Sequence, residues 1–201
     1  GTSVGVDVIS NTSDPSSIRG NQYFAVRLET INDIVVDPIN QKWFATEKGI
    51  FLTNSDGSVL IANYTKSNSP LPSDNVKCLA IDENNGIIYA GTDFGVTAIY
   101  TLFIKPNENF SDLLVYPNPV VIDPSTDFTV FIEGLIEDSE IKILDISGNL
   151  IYEFRSIGGK TTTWDCRNFE GKLISSGIYI AVAFDLEQNE VGHAKFAVLR
   201  R

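Results

Sequence analysis

The chain has 201 residues, 43% hydrophobic and 20% charged, which sets aside a mostly disordered chain and leaves room for one mid-sized domain or two small ones. Its net charge of −11 is shared by both halves, 11 acids against 7 bases in residues 1–106 and 15 against 8 beyond, with no Lys/Arg stripe, so nucleic acid and anionic membrane surfaces are disfavoured as partners. No apolar run approaches the ~18–20 residues that span a bilayer, and the Gly-Thr-Ser start leaves open whether an export signal belongs to the full protein.

Along the chain, apolar residues alternate in short runs bounded by Gly, Asn, Asp, Ser and Pro, the pattern of an all-β protein. Strands are predicted at Phe24–Val26, Ile34–Val36, Ile87–Tyr89, Phe128–Ile132, Ile141–Leu144 and Ile178–Val182. Turns are predicted at Ser55–Gly57, Asn84–Gly86, Ser147–Asn149 and Gly158–Gly159. The first half repeats itself: Ile31–Asp37 aligns with Val76–Asp82 at an offset of 45, and Trp43–Ile50 aligns with Ile88–Val96 with one residue inserted. A period of ~40–50 residues with about four strands per unit is the spacing of propeller blades. Between the copies, Ser67–Asn75 is polar and proline-rich, suited to a loop joining blades.

These residues resemble the two-component regulator propeller repeat. The matches are Leu71-Pro-Ser73, Asn75-Val76, Leu79–Asp82, Tyr89–Thr92 and Gly95-Val96, with Tyr89 where the family prefers the tryptophan kept at Trp43. Two copies cannot close a propeller. Either the chain is the C-terminal part of a longer one, the favoured reading, or residues 1–30 complete a partial one. The propeller region is assigned to residues 1–103 and a polar linker to residues 104–112.

From Leu113 the repeat stops, and about seven short strands fit residues 113–201, as in an immunoglobulin-like β-sandwich. Tyr116-Pro117-Asn118-Pro119 opens this module; two prolines cannot donate to a ladder, so the segment kinks or follows a sheet edge. Asp145–Leu150 reads as a tight turn with Gly148 or Asn149 at positive φ. Trp164-Asp165 precedes a turn around Gly171, Ser176–Tyr179 starts a strongly apolar strand, and Gly192–Leu199 closes the domain.

In this order the residues resemble the C-terminal sorting domain of type IX secretion substrates. The matched positions are Tyr116 to Pro119, Asp145 with Gly148 and Ile151, Trp164 and Asp165, Gly171, Gly177 with Tyr179, and Lys195 with Val198 and Arg200. Cys166 stands where the family usually has glycine, which questions the geometry of that turn, and an extra arginine ends the chain. The resemblance implies an address read by the outer-membrane translocon after export. In ordinary cargo it is cut off within residues 104–113 and replaced by a lipopolysaccharide anchor. A propeller followed by such a module resembles a retained surface component of the attachment complex, with the type IX translocon and attachment proteins, and anionic lipopolysaccharide, as implied partners. A periplasmic sensor of a hybrid two-component histidine kinase uses the same repeat, but there the chain continues into a transmembrane helix. A carbohydrate-binding sandwich, the third alternative, requires an exposed aromatic row.

No enzyme chemistry is expected, and no cofactor or metal. The single histidine, His193, sits on the closing strand, where an exposed structural role is expected. Asp37 and Asp82 recur in the repeat and are better read as turn formers than as paired catalytic carboxylates. Glu137–Glu140 is acidic but lacks calcium-loop spacing. Trp43 and Trp164 have apolar neighbours and are expected in the core, and Cys78 and Cys166 are expected as two buried thiols.

Overall fold

The computed structural model describes residues 1–10, 19–22, 24–110, 112–123, 128–156, 158–185 and 189–201. Parts of the expectations for residues 1–30 (residues 11–18 and 23) and for the linker (Ser111) lie outside these. The described residues are all-β, without an α-helix, and divide into two compact units, Gly1–Thr101 and Leu102–Arg201.

In the first unit, β1 (Asp7–Ser10) and β2 (Arg19–Gln22) pair antiparallel. Phe24–Val26, predicted as a strand, is instead a single 3-10 turn. A three-residue apolar run cannot distinguish strand from turn by period, and here the chain reverses, with Glu29 N–H donating to the Val26 carbonyl and Leu28 at φ 67°. Next comes an antiparallel meander of β3 (Ile31–Val36), β4 (Lys42–Thr46), β5 (Gly49–Thr53) and β6 (Leu60–Tyr64). A second sheet follows, of β7 (Val76–Asp82), β8 (Ile87–Thr92) and β9 (Gly95–Tyr100).

The two sheets repeat in detail. Each begins with the same irregularity, a register shift between Ile31 and Asp33 in one and between Val76 and Cys78 in the other. Each second strand ends in the same turn: the Thr46 hydroxyl donates to the Gly49 carbonyl, and the Thr92 hydroxyl to that of Gly95. Pairing also locates the inserted residue. Val35 faces Trp43 and Ala80 faces Tyr89, so Trp43 corresponds to Tyr89, not to Ile88, and the insertion lies in the turn after Asp82. In the first sheet Phe44 and Phe51 pack with Val6 and Val26 on one face, while Trp43 and Leu52 occupy the other.

In the second unit, β10 (Leu114–Tyr116), β12 (Val130–Glu133) and β15 (Thr161–Trp164) form one sheet, in the order β10-β12-β15. The other runs β11-β17-β16-β13-β14, from β11 (Val120–Ile122), β13 (Glu140–Asp145), β14 (Leu150–Arg155), β16 (Gly177–Phe184) and β17 (Val191–Arg200). Only β11 pairs in parallel among these, along the end of β17. Period-2 alternation sends Ile141, Ile143, Ala181 and Phe196 from the larger sheet, and Val115, Ile132 and Trp164 from the smaller, into one shared core. Full burial of each large side chain contributes about 1.5–3 kcal/mol, so these positions dominate the stability of this unit.

The segment between the repeats and β10 is bonded to the second unit. Lys160 N–H donates to the Ile104 carbonyl and Asn107 N–H to that of Leu135, each at 2.9 Å, while Phe110 lies over Gly192. Its polar composition suggested a linker, and composition does not reveal such backbone partners.

Candidate functional site

The motif residues from Tyr116 to Arg200 lie on the second unit, and most of them act locally. Asp145 ends β13, and its Oδ1 accepts the N–H groups of Ser147 and Asn149 at 2.8 and 2.9 Å. Its Oδ2 accepts from the Asn149 carboxamide at 2.8 Å, and Gly148 takes φ 85° to close the turn. These bonds, the Asn149 side chain first, hold the Asp145 carboxyl below its ordinary range. Asp82 builds the same device in the first unit, accepting from Asn84 and Asn85, and its carboxyl is lowered for the same reason.

Asp37 occupies the matching turn but is buried. It accepts the N–H groups of Ile39 and Gln41, and its Oδ2 receives Trp43 Nε1–H at 3.0 Å. Here desolvation outweighs the hydrogen bonds and raises the carboxyl above its ordinary range. Both repeat aspartates are thus turn formers.

Trp164 and Tyr179 belong to the core. The Trp164 ring meets Phe196 edge-on at 6.4 Å, and Nε1–H donates to the Arg167 carbonyl at 3.1 Å. Tyr179 stacks on Phe196 at 5.9 Å and donates its hydroxyl to the Ser175 carbonyl at 2.9 Å. Trp164 and Tyr179, distant in sequence, thus meet at Phe196, which the motif does not contain, and Asp145 is the cross-strand partner of Tyr179 on its other side. Asp165 accepts the Arg167 N–H, and Gly171, at φ 73°, closes the following turn. Gly177 opens β16 opposite Val198.

Cys166 answers the doubt about its turn. It adopts φ 59°, the left-handed conformation that a glycine takes at no cost, so the thiol-bearing residue keeps a glycine backbone. Its side chain is buried, and desolvation, with a smaller push from the Asp165 charge, moves the thiol up to about 12. Cys78, by contrast, is exposed, which corrects the expectation of two buried thiols. Alternation places it on a sheet face, but only the fold decides whether that face is covered.

The two ends of the motif, Tyr116 to Pro119 and Lys195 with Arg200, are exposed. Tyr116 stacks on Phe131 at 5.3 Å, and its hydroxyl is raised by partial burial and by the neighbouring Glu133 carboxylate. The chain then bends through Pro117, Asn118 and Pro119, each proline preceded by a cis peptide, into β11. Asn118 lies against β17: Oδ1 accepts the Ala197 N–H at 3.1 Å, and Nδ2 donates to the Lys195 carbonyl at 3.3 Å. Arg200 N–H donates to the Ser176 hydroxyl at 2.9 Å. The opening and closing motifs therefore form one surface along the terminal strand. The contributions of Ala197 and Ser176 carry no sequence signal, because a backbone N–H looks alike in every residue and serine is common in turns.

His193 is an exposed strand residue opposite Val182. In the acidic segment, Asp138 pairs with Arg155 at 2.7 Å and Ser139 is buried, bonding its own turn. Among the described residues no group of three or more His, Cys, Asp or Glu side chains could hold a metal ion, and no helix is long and apolar enough to cross a membrane.

No protein-family model matches the chain, and no curated protein does. Among solved structures it is similar to PorZ, described as an essential bacterial surface component of the type IX secretion system of Porphyromonas gingivalis. The likeness covers 100% of this chain at 31% identity with a TM-score of 0.69. The chain spans 28% of the PorZ chain's length. Looser likenesses reach the extracellular domains of two hybrid two-component systems of B. thetaiotaomicron. One is 13% identical over 99% of this chain and 29% of the other, with a TM-score of 0.38. The second is 14% identical over 100% and 30%, with a TM-score of 0.40, and at such scores neither fixes the arrangement of the sheets.

Proposed function

We propose that the chain is the C-terminal part of a cell-surface component of a type IX secretion system. In this reading residues 1–103 contain two blades of a β-propeller, and residues 113–201 are a non-catalytic, immunoglobulin-like sorting domain. The observation that carries it is the likeness to PorZ over the whole chain, at 31% identity and a TM-score of 0.69. Two features support the finer assignment. The bulge and turn recur in both sheets of the first unit, as expected of two copies of one repeat. The Tyr179 hydroxyl reaching back to the Ser175 carbonyl is a tyrosine corner of the kind found in immunoglobulin-like sandwiches.

The recognition surface in this reading is the terminal strand with the Tyr116–Pro119 bend, and its partners are translocon and attachment-complex proteins. The module stays on the mature protein, since the segment from Ile104 to Phe110 is tied to it by hydrogen bonds and packing, leaving little free chain for a protease. Delivery of anionic lipopolysaccharide to the attachment machinery belongs to the same proposal.

The test is a fusion of residues 102–201 to a reporter in a type IX host. Surface display of the reporter is expected. A fusion that folds and reaches the periplasm yet never appears at the surface overturns the sorting role. Peptides from residues 113–201 are expected on the mature surface protein by mass spectrometry, and their absence overturns retention.

A further inference from the structure

The larger sheet of the second unit has two edges, and they are built differently. β11 is three residues long and is entered through Pro119, features that blunt an edge against further pairing. β14 is six residues long and contains no proline, and no described strand pairs with its outer side. The register shift with β13 lies between Ile143 and Leu144, so residues 152–155 pair without a bulge. Ser156 N–H donates to the Ser139 carbonyl at 2.8 Å, and Arg155 faces Glu140 in the next pair. Alternation then turns the backbone groups of Phe154 toward β13 and those of Glu153 and Arg155 outward. The side chains alternate as well. Glu153 and Arg155 are exposed on the solvent face, paired with Lys142 at 3.9 Å and Asp138 at 2.7 Å respectively. Phe154 is half-buried on the core side, where a cavity of about 340 Å³ opens, its lining including Phe128, Tyr152, Phe154 and Trp164.

We propose that β14 is a self-pairing edge: two copies of this chain join antiparallel about a two-fold axis at Phe154, merging their larger sheets into one. In that register Glu153 of each copy lies opposite Arg155 of the other, and each such pair exchanges its N–H···O bonds. Charge complementarity selects both the occupant and the register. Charges on an edge strand ordinarily resist pairing. Here they alternate in sign, so antiparallel reversal sets each charge against its opposite. An axis at Glu153 would set two carboxylates face to face, and one at Tyr152 would set Glu153 against Ile151, with no charge partner. The pairs with Lys142 and Asp138 are exposed and worth little, so they do not hold Glu153 and Arg155 away from a second copy. On the core side the two Phe154 rings meet as a closely spaced cross-strand pair, with the aromatic wall of the cavity beside them.

Charge exchange tests the pairing. Sedimentation equilibrium of the 201-residue chain is expected to show a concentration-dependent dimer. Glu153→Arg and Arg155→Glu each set like charges opposite one another and should weaken that dimer about tenfold or more. Both side chains are exposed, so the folded monomer is expected to survive either change, which near-ultraviolet circular dichroism checks. Mixed in equal amounts, the two variants should form a heterodimer of wild-type affinity, because every introduced charge then faces its opposite. The double variant should self-pair for the same reason. Amide exchange locates the contact: Glu153 and Arg155 N–H should gain protection as concentration rises, while Val182 stays unchanged. A chain that is monomeric at every concentration, leaving the edge to a strand of another protein, overturns the proposal. So does a dimer indifferent to the single variants, or folded variants whose mixture fails to restore it.

Discussion

The Asn118 carboxamide takes the place of a neighbouring strand for Ala197. It accepts that residue's N–H at 3.1 Å and donates to the Lys195 carbonyl at 3.3 Å, just before β11 takes over the pairing of β17 at Val198. The edge of the terminal strand is thus continued by one side chain 79 residues away.

Removing this contact loosens the strand. Asn118→Ala is expected to destabilise the unit by about 1 kcal/mol, the net worth of exposed hydrogen bonds. The sharper readout is amide exchange: Ala197 N–H should exchange faster in the variant, while Ile180 and Val182 on β16 keep their protection. Asn118→Asp retains the acceptor but loses the donor, so it should fall between wild type and alanine. Unchanged Ala197 exchange in Asn118→Ala contradicts the assignment.

Tyr179→Phe isolates the hydroxyl bond to Ser175. About 1 kcal/mol of stability should be lost, with the Phe196 stack retained. Trp164→Ala removes a buried ring and should cost about 3–5 kcal/mol. Chemical denaturation of residues 102–201 measures both, and an equal loss for the two variants would deny Trp164 its core role.

The aspartates predict opposite responses to acid. Asp145 and Asp82 have lowered folded-state values, so the folded form binds their protons less readily. Their stabilisation is present above the ordinary aspartate value and is lost as pH falls through the lowered one. Asp37 is raised, so its ionised form opposes folding. Between the ordinary and the raised value, stability of the first unit falls with rising pH on its account. Carboxyl NMR titration should place Asp145 and Asp82 below a model aspartate and Asp37 above it. The reverse order would refute the burial argument.

Cys166 sits at a balance of two terms. A left-handed backbone costs a non-glycine residue about 1–2 kcal/mol, while burying its small side chain returns roughly 1 kcal/mol. Cys166→Gly should therefore change stability by less than about 1 kcal/mol, and Cys166→Val, β-branched at φ 59°, should be strongly destabilising. With its thiol pushed up to about 12, Cys166 should resist alkylation at neutral and mildly alkaline pH while Cys78 reacts.

Turns and strand periods were legible along the chain because their causes are local. An Asp or Asn two to five residues before the N–H it binds, and a glycine free to take positive φ, act within one turn wherever the rest of the protein lies. That is why Asp145 with Gly148, the turn former Asp82 with the turn at Asn84–Gly86, and the turn at Gly171 could be read in advance, and why an all-β fold followed from alternation alone. Alternation also groups Trp43 with Ala45, and Tyr89 with Gly91, on shared faces. It is silent on what covers a face. Burial of Trp43, exposure of Cys78 and the meeting of Trp164 with Tyr179 through Phe196 depend on strands brought together across long loops. The same holds for Asn118 and Ala197, since a hydrogen bond between a carboxamide and a distant backbone leaves no pattern in either segment. Only the packed sheets decide which of these neighbours meet.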